Sequence, residues 1–288
     1  MNQSTCLVLQ GGALRGVYTS GVLDALQNKQ LAFDCVIGTS AGSMNGANFV
    51  SRQPGRCFWI DYTFADDDHF MGVKPLVKEG QVFSFSYMFG AVNDQFPFDF
   101  ETFAASNARF IAVATDCDTG LPAYLEKGVS SDMVLAIQAS SSMPMLSTPI
   151  ELDGVRYLDG GPSMSVAVDY ARQEGYDKIL VVLTREKGYR KKLLTPAVIR
   201  ATELRFRKNP AFLEMLLAAP DRYNELMDHI EQLEAQHKIF VIAPSEPVTV
   251  SRVERDKDKL RDLYLLGKRD AQRNFQDLQD YLSKGAVI

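Results

Sequence analysis

Apolar positions in the first fifty residues change period twice over. CLVLQ is a short apolar run ending at a glycine pair, and VYTSGVLDALQNK then spaces its apolar residues as one face of a helix. FDCVIG is a second such run, again stopped by glycine, and AGSMNGANFVSR follows as a helix of small residues. Strand, glycine turn and helix, repeated, predict a parallel sheet with crossover helices. Further along, RFIAVATDCDTG restores the strand pattern, and SSDMVLAIQASSSMP reads as a helix stopped at Met143–Pro144. IELDGVRYLDGG predicts a hairpin turning at Asp153–Gly154, and DKILVVLT a strand buried on both faces.

Two stretches depart from this alternation. Residues 51–108 hold nearly half of the aromatics, in runs such as FSFSYMFG and FPFDFETF, with weak periodicity. A cap or lid is one expectation for them, and an acyl-chain pocket another. From Lys191 onward TPAVIRATELRFRKNP, PDRYNELMDHIEQLEAQ and DKDKLRDLYLLGKRDAQRNFQDLQDYLSK are amphipathic and charged, with KIFVIAPS as one more strand. The expected organisation is a catalytic domain over 1–190, with 51–108 inserted, and a helical portion over 191–288 packed on it.

Composition narrows the class. Of 288 residues 46% are apolar and 23% charged, ordinary for a globular chain, and the net charge of −5 argues against a nucleic-acid partner. No apolar run approaches the roughly 18 residues of a membrane span, and MNQSTCLVLQGGALRG lacks the basic start of a secretory leader. Cys6, Cys35, Cys57 and Cys117 show no CxxC spacing and read as reduced core thiols. A cytoplasmic location is expected, with any membrane contact peripheral, and neither a metal nor a cofactor.

The candidate chemistry lies in the glycine turns. GTSAG at 38–42 fits G-x-S-x-G at a strand-to-helix junction, where a sharp turn lifts a serine hydroxyl above the sheet. The same five residues also suit a plain βα turn with a packing serine. QGGALRG at 10–16 sits at the other strand end and offers amides to an anion. It is a near miss to a dinucleotide fingerprint, with Ala13 at the middle glycine and no acidic residue closing the second strand. YLDGG at 157–161 presents Asp159 either as a hairpin exit or as a carboxylate at a site mouth. His69, His229 and His237 are poorly placed as bases, which leaves a carboxylate to serve Ser40 directly.

These three segments, in this order, resemble the patatin-like phospholipase family, with its glycine-rich oxyanion loop, G-x-S-x-G elbow and D-G-G/A motif. SSSMPMLSTPIELDGVRYLDGG is similar to the family segment that runs into the aspartate. The resemblance covers about residues 5–185 and implies a three-layer α/β/α fold with a mainly parallel sheet and a helical C-terminal extension. It implies a serine acyl hydrolase acting on lipid or other esters, with Ser40 as nucleophile and Asp159 as base. Gly11, Gly12, Ala13, Arg15 and Gly16 would form the oxyanion loop, Gly38, Thr39, Ala41 and Gly42 the elbow, and Gly160 and Gly161 the rest of the aspartate motif. Gln10 and Ala13 depart from the usual acidic residue and third glycine. An alanine amide serves as well as a glycine amide where φ stays negative, and that is the expectation for Ala13. A nucleotide-binding α/β protein using the 10–16 loop, or an interaction protein on the same fold, are the alternatives.

Overall fold

The computed structural model describes residues 4–283; residues 1–3 and 284–288, the extremes of the two expected ranges, lie outside the described residues. The chain begins with β1 (Thr5–Leu9), a 3-10 turn at Ala13–Arg15, α1 (Gly16–Asn28), β2 (Cys35–Thr39) and α2 (Ala41–Val50). β1 and β2 pair in parallel, with Cys6 beside Cys35 and Leu9 beside Gly38, so both glycine turns leave the same end of the sheet.

The aromatic-rich stretch then forms five short helices, α3 (Arg56–Phe64), α4 (Val73–Glu79), α5 (Phe85–Phe89), α6 (Ala91–Gln95) and α7 (Phe100–Ala105). Helices this short are marginal by themselves and depend on tertiary packing. Ser84 and Asp99 cap α5 and α7 by accepting from the amides of Tyr87 and Thr102. Phe64 packs against Phe70, Tyr87 and Phe96, which ties this segment together through its rings.

β3 (Arg109–Asp116), β4 (Pro122–Glu126), α8 (Met133–Ser141) and the hairpin β5 (Ile150–Leu152) and β6 (Val155–Asp159) follow. The hairpin turns at Asp153 and Gly154, both at positive φ, which is the two-residue turn that suits the twist of the strands. α9 (Val168–Gln173), β7 (Lys178–Val182), α10 (Pro196–Phe206), α11 (Pro210–Ala235), β8 (Phe240–Ile242) and α12 (Lys257–Ser283) complete the chain. β4 was not expected, and α11 begins ten residues before Pro220 and passes through it. An internal proline costs on the order of 3 kcal/mol. Burial of Phe212 and Met215 before it, and of Tyr223 and Met227 after it, offsets that cost.

One eight-stranded sheet runs β5-β6-β3-β2-β1-β7-β8, with β4 on β3. β1, β2, β3, β7 and β8 pair in parallel, β4 and β6 pair antiparallel with β3, and β5 pairs antiparallel with β6. Alternate residues point to opposite faces. Leu7, Leu9, Val36 and Val182 share a core with Tyr18 of α1 and Leu260 of α12. Cys6, Val8, Ile37 and Val181 share another with Val168 of α9 and Met227 of α11. Helices on both sheet faces make the three-layer α/β/α arrangement. No helix among the described residues is long and apolar enough to cross a membrane.

The register of β3 fixes what meets at the sheet's end. β4 lies along residues 111–115, which overlaps the span paired with β2 (109–113) and the span paired with β6 (114–116). A strand has two edges, so β2 and β6 must share the edge opposite β4, one after the other. They run in opposite directions and meet head to head, Thr39 beside Val113 and Asp159 beside Ala114.

Candidate active site

That meeting places Ser40, the residue after β2, against the last residue of β6. Ser40 Oγ donates to Asp159 Oδ2 at 2.7 Å, across 119 residues of sequence. Ser40 takes φ 56 and ψ −127, a left-handed conformation that a serine adopts only where its surroundings hold it. The turn is tight because the chain packs backbone on backbone. A Cβ on Gly42 would stand 2.4 Å from the Leu9 carbonyl oxygen, and one on Gly38 2.4 Å from Gly42 itself. Both positions therefore require glycine.

Ser140, at the end of α8, holds the pair in register. Its Oγ accepts from the Ser40 amide (2.9 Å) and donates to the Val113 carbonyl (2.6 Å). Its neighbour Ser142 accepts from the Asp159 amide at 2.8 Å through its carbonyl. Asp159 Oδ1 accepts from the Gly161 amide at 2.7 Å, and Thr115 Oγ1 donates to the Asp159 carbonyl at 2.8 Å. Thr39 donates to the Met164 carbonyl at 3.0 Å, fixing the strand end. Nothing in the serine run of ASSSMP distinguishes Ser140 from its neighbours, and sequence reasoning passed over it.

Burial disfavours the charged carboxylate and pushes Asp159 above the usual carboxylate value; the Ser40 hydroxyl, the Gly161 amide and the charges of Arg252 and Lys191 oppose that shift. None of the three histidines bonds either residue. His69 pairs with Asp67, and His229 with Asp169 on α9.

The 10–16 loop lies directly beside Ser40, since a Cβ on Gly11 would stand 2.8 Å from the Ser40 Cβ. The amides of Gln10, Leu14 and Arg15 all donate within the protein, whereas those of Gly11, Gly12 and Ala13 donate to no described residue. The amide of Ala41, first in α2, likewise donates to no described residue, as a helix start leaves it. Arg15 and Gly16 spend their amides on the Gly12 and Ala13 carbonyls, so they close the turn and are not backbone donors to a ligand. Ala13 sits at φ 49, contrary to the negative φ expected of it. The chain must reverse between Gly12 and the 3-10 turn, and Ala13 takes the left-handed conformation that its glycine counterpart would adopt freely. Its N–H survives the change; only strain is added.

On the side of the aromatic segment a cavity of about 490 Å³ reaches Ser40, lined by Met44, Phe70, Phe83, Phe85, Met88 and Phe98 among others. Asp61 also lines it, and burial raises its carboxyl to about 7. Among the described residues no group of three or more His, Cys, Asp or Glu side chains is placed to hold a metal ion.

A family model described as patatin-like phospholipase matches residues 7–172, and a second, described as a domain of unknown function, matches 209–283. An uncharacterized protein of Escherichia coli K12, YjjU, is 27% identical over 276 residues, covering 91% of this chain and 74% of its own length. Among solved structures, VipD from Legionella pneumophila matches with a TM-score of 0.46 at 10% identity, covering 98% of this chain and 67% of that one.

Proposed function

The chain belongs to the patatin-like phospholipase family, and on that premise we propose that it hydrolyses carboxylic esters of lipids through Ser40 and Asp159. The observation that carries this reading is the 2.7 Å hydrogen bond from Ser40 Oγ to Asp159 Oδ2, made inside a strained elbow. Asp159 takes the serine proton as Oγ attacks the ester carbonyl. The carbonyl oxygen becomes an oxyanion within reach of the unspent amides of the glycine loop. When the tetrahedral intermediate collapses, the bond to the alcohol oxygen breaks and Asp159 returns the proton to the departing alcohol. Water then gives a proton to Asp159 and attacks the acyl-serine; as the bond to Oγ breaks, Asp159 returns that proton to Ser40 and the acid leaves. The apolar cavity receives the acyl chain.

Hydrolysis of p-nitrophenyl butyrate and labelling by a fluorophosphonate test this reading. Ser40→Ala loses both, and Asp159→Asn loses turnover on the order of a thousandfold or more. Wild-type turnover in either variant would refute the pairing, and stabilisation by nucleotides without labelling would favour the nucleotide-binding alternative. The reaction needs Asp159 ionised, and its proton is held more tightly than in a free carboxyl. The rate therefore climbs with pH through a value above that of an ordinary aspartate. A profile flat down to the ordinary aspartate range would contradict this.

A further inference from the structure

The wall of the apolar cavity carries a carboxyl that the protein leaves without a partner. Four charged side chains line that cavity: Arg56, Asp61, Lys127 and Asp132. Arg56 donates to Asn48, Asn93 and the Phe96 carbonyl. Lys127 donates to the carbonyls of Phe103 and Ser106, and Asp132 caps α8 by accepting from the amides of Val134 and Leu135. Asp61 is the exception among the described residues. Burial alone raises its carboxyl to about 7, with no cation near enough to oppose the shift.

Helix contacts place Asp61 along the cavity. Arg56 Nη1 meets Asn48 Oδ1 at 3.1 Å, and the Cys57 thiol, one residue on, meets the Met44 carbonyl at 3.7 Å. The chain of α3 therefore advances as α2 is followed back toward Ser40. Met44 lies one turn from Ser40, and Asp61 one turn beyond Cys57, each about 6 Å of helix. The contacts of α3 with α1 run the same way. The Gly55 amide donates to Asp24, in the last turns of α1, at 2.8 Å, while Ala13 and Leu14, just before α1, line the cavity together with Asp61. Asp61 thus belongs to the Ser40 end of the cavity. Arg56, over the Phe98 ring at 5.3 Å, belongs to the far end.

We infer that Asp61 is a specificity-determining residue that hydrogen-bonds a hydroxyl carried near the carbonyl end of the acyl chain, so that hydroxyacyl esters are the favoured substrates. The inference rests on the ester-hydrolase reading and deepens it. An unsubstituted chain filling the cavity takes Asp61 out of water and gives it no partner. A hydroxyl on the chain restores one, donating to the carboxylate or accepting from the acid. An ammonium group in the same place would have to be stripped of water between apolar walls, which a single carboxylate offsets poorly. Discrimination of this kind, by a buried polar group that the wrong substrate leaves unpaired, exceeds what apolar contacts alone give.

The test compares p-nitrophenyl 3-hydroxyoctanoate with p-nitrophenyl octanoate in wild type, Asp61→Leu and Asp61→Ala. The readout is the ratio of the two kcat/KM values, in which any general effect on the enzyme cancels. Wild type should prefer the hydroxy ester by on the order of tenfold to a hundredfold, and both variants should bring the ratio near one. Leucine fills the space and alanine empties it, so loss in both assigns the preference to the carboxyl. No preference in wild type, or a preference that survives in either variant, overturns the inference and leaves the hydrolase reading intact. Faster turnover of the 3-amino ester than of the hydroxy ester overturns the hydroxyl as the group recognised. A second arm measures thermal stabilisation by free 3-hydroxyoctanoate and by octanoate. If wild type hydrolyses neither ester, the hydrolase reading fails. Stronger stabilisation by the hydroxy acid, lost in Asp61→Leu, then still supports the subsite, and equal stabilisation by the two acids overturns it.

Discussion

Asp61 makes no hydrogen bond to any described residue, although it faces the apolar cavity among Phe70, Phe85 and Met88. Its folded-state proton affinity is raised to about 7, above that of the unfolded chain, so the folded state holds this proton more tightly. Its contribution to stability is therefore present at acid pH and lost as pH rises toward and through 7. Asp61→Asn removes that loss and should stabilise the protein by on the order of 2–4 kcal/mol at pH 8, with little gain at pH 4. Urea denaturation at the two pH values reads the difference, and an equal effect at both would contradict it. Ser40 and Asp159 stand out in the sequence because each sits in a glycine-marked motif. Asp61, Ser140 and Lys191 carry no such mark. Their environments come from elements far apart in the chain, so residue order alone gives no hint of them.

At the scale of elements, α1 and α12 cross with their backbones in near contact. A Cβ on Gly21 would stand 2.1 Å from the Tyr264 carbonyl oxygen, and one on Gly267 2.2 Å from that of Tyr18. Gly267→Ala would gain about 1 kcal/mol of helix propensity in an isolated helix. Here the added methyl must push α12 off α1, and a net loss of about 2–4 kcal/mol is expected, in the range of core overpacking. Thermal or chemical denaturation measures it, and an unchanged or raised midpoint would show that the helices separate freely. The strands buried on both faces were legible because a continuous apolar run bounded by glycine has few other readings. β4 was not, since PAYLE is short, begins with proline and half-faces solvent. The first half of α11 was hidden by Pro220, which reads locally as a stop but is overridden by packing. The helices of 51–108 span five to nine residues, too few turns for a period to show.

The whole molecule joins its two ends through one core. Leu260, Leu263, Leu266 and Leu278 of α12 are buried with residues of β1 and α1. Buried Asp270 accepts from the Tyr18 hydroxyl at 3.0 Å and from both the amide and the hydroxyl of Ser245. We expect the portion that carries Ser40 and Asp159 and the helical portion to unfold together. Calorimetry should show a single transition, and truncation before residue 257 should leave no folded remainder. Two resolved transitions, or a soluble cooperative fragment, would mean that the helical portion is an independent domain.

The head-to-head meeting of β2 and β6 on one edge of β3 has a consequence for how such a protein diversifies. The two residues proposed to react are anchored in the sheet, cross-braced by Ser140, and owe nothing to the aromatic helices that shape the cavity. Exchanging residues 51–108 for a segment of different bulk should redraw the accepted chain length without retuning the chemistry. The proposed reacting pair thus belongs to the sheet, and the cavity wall can change without it.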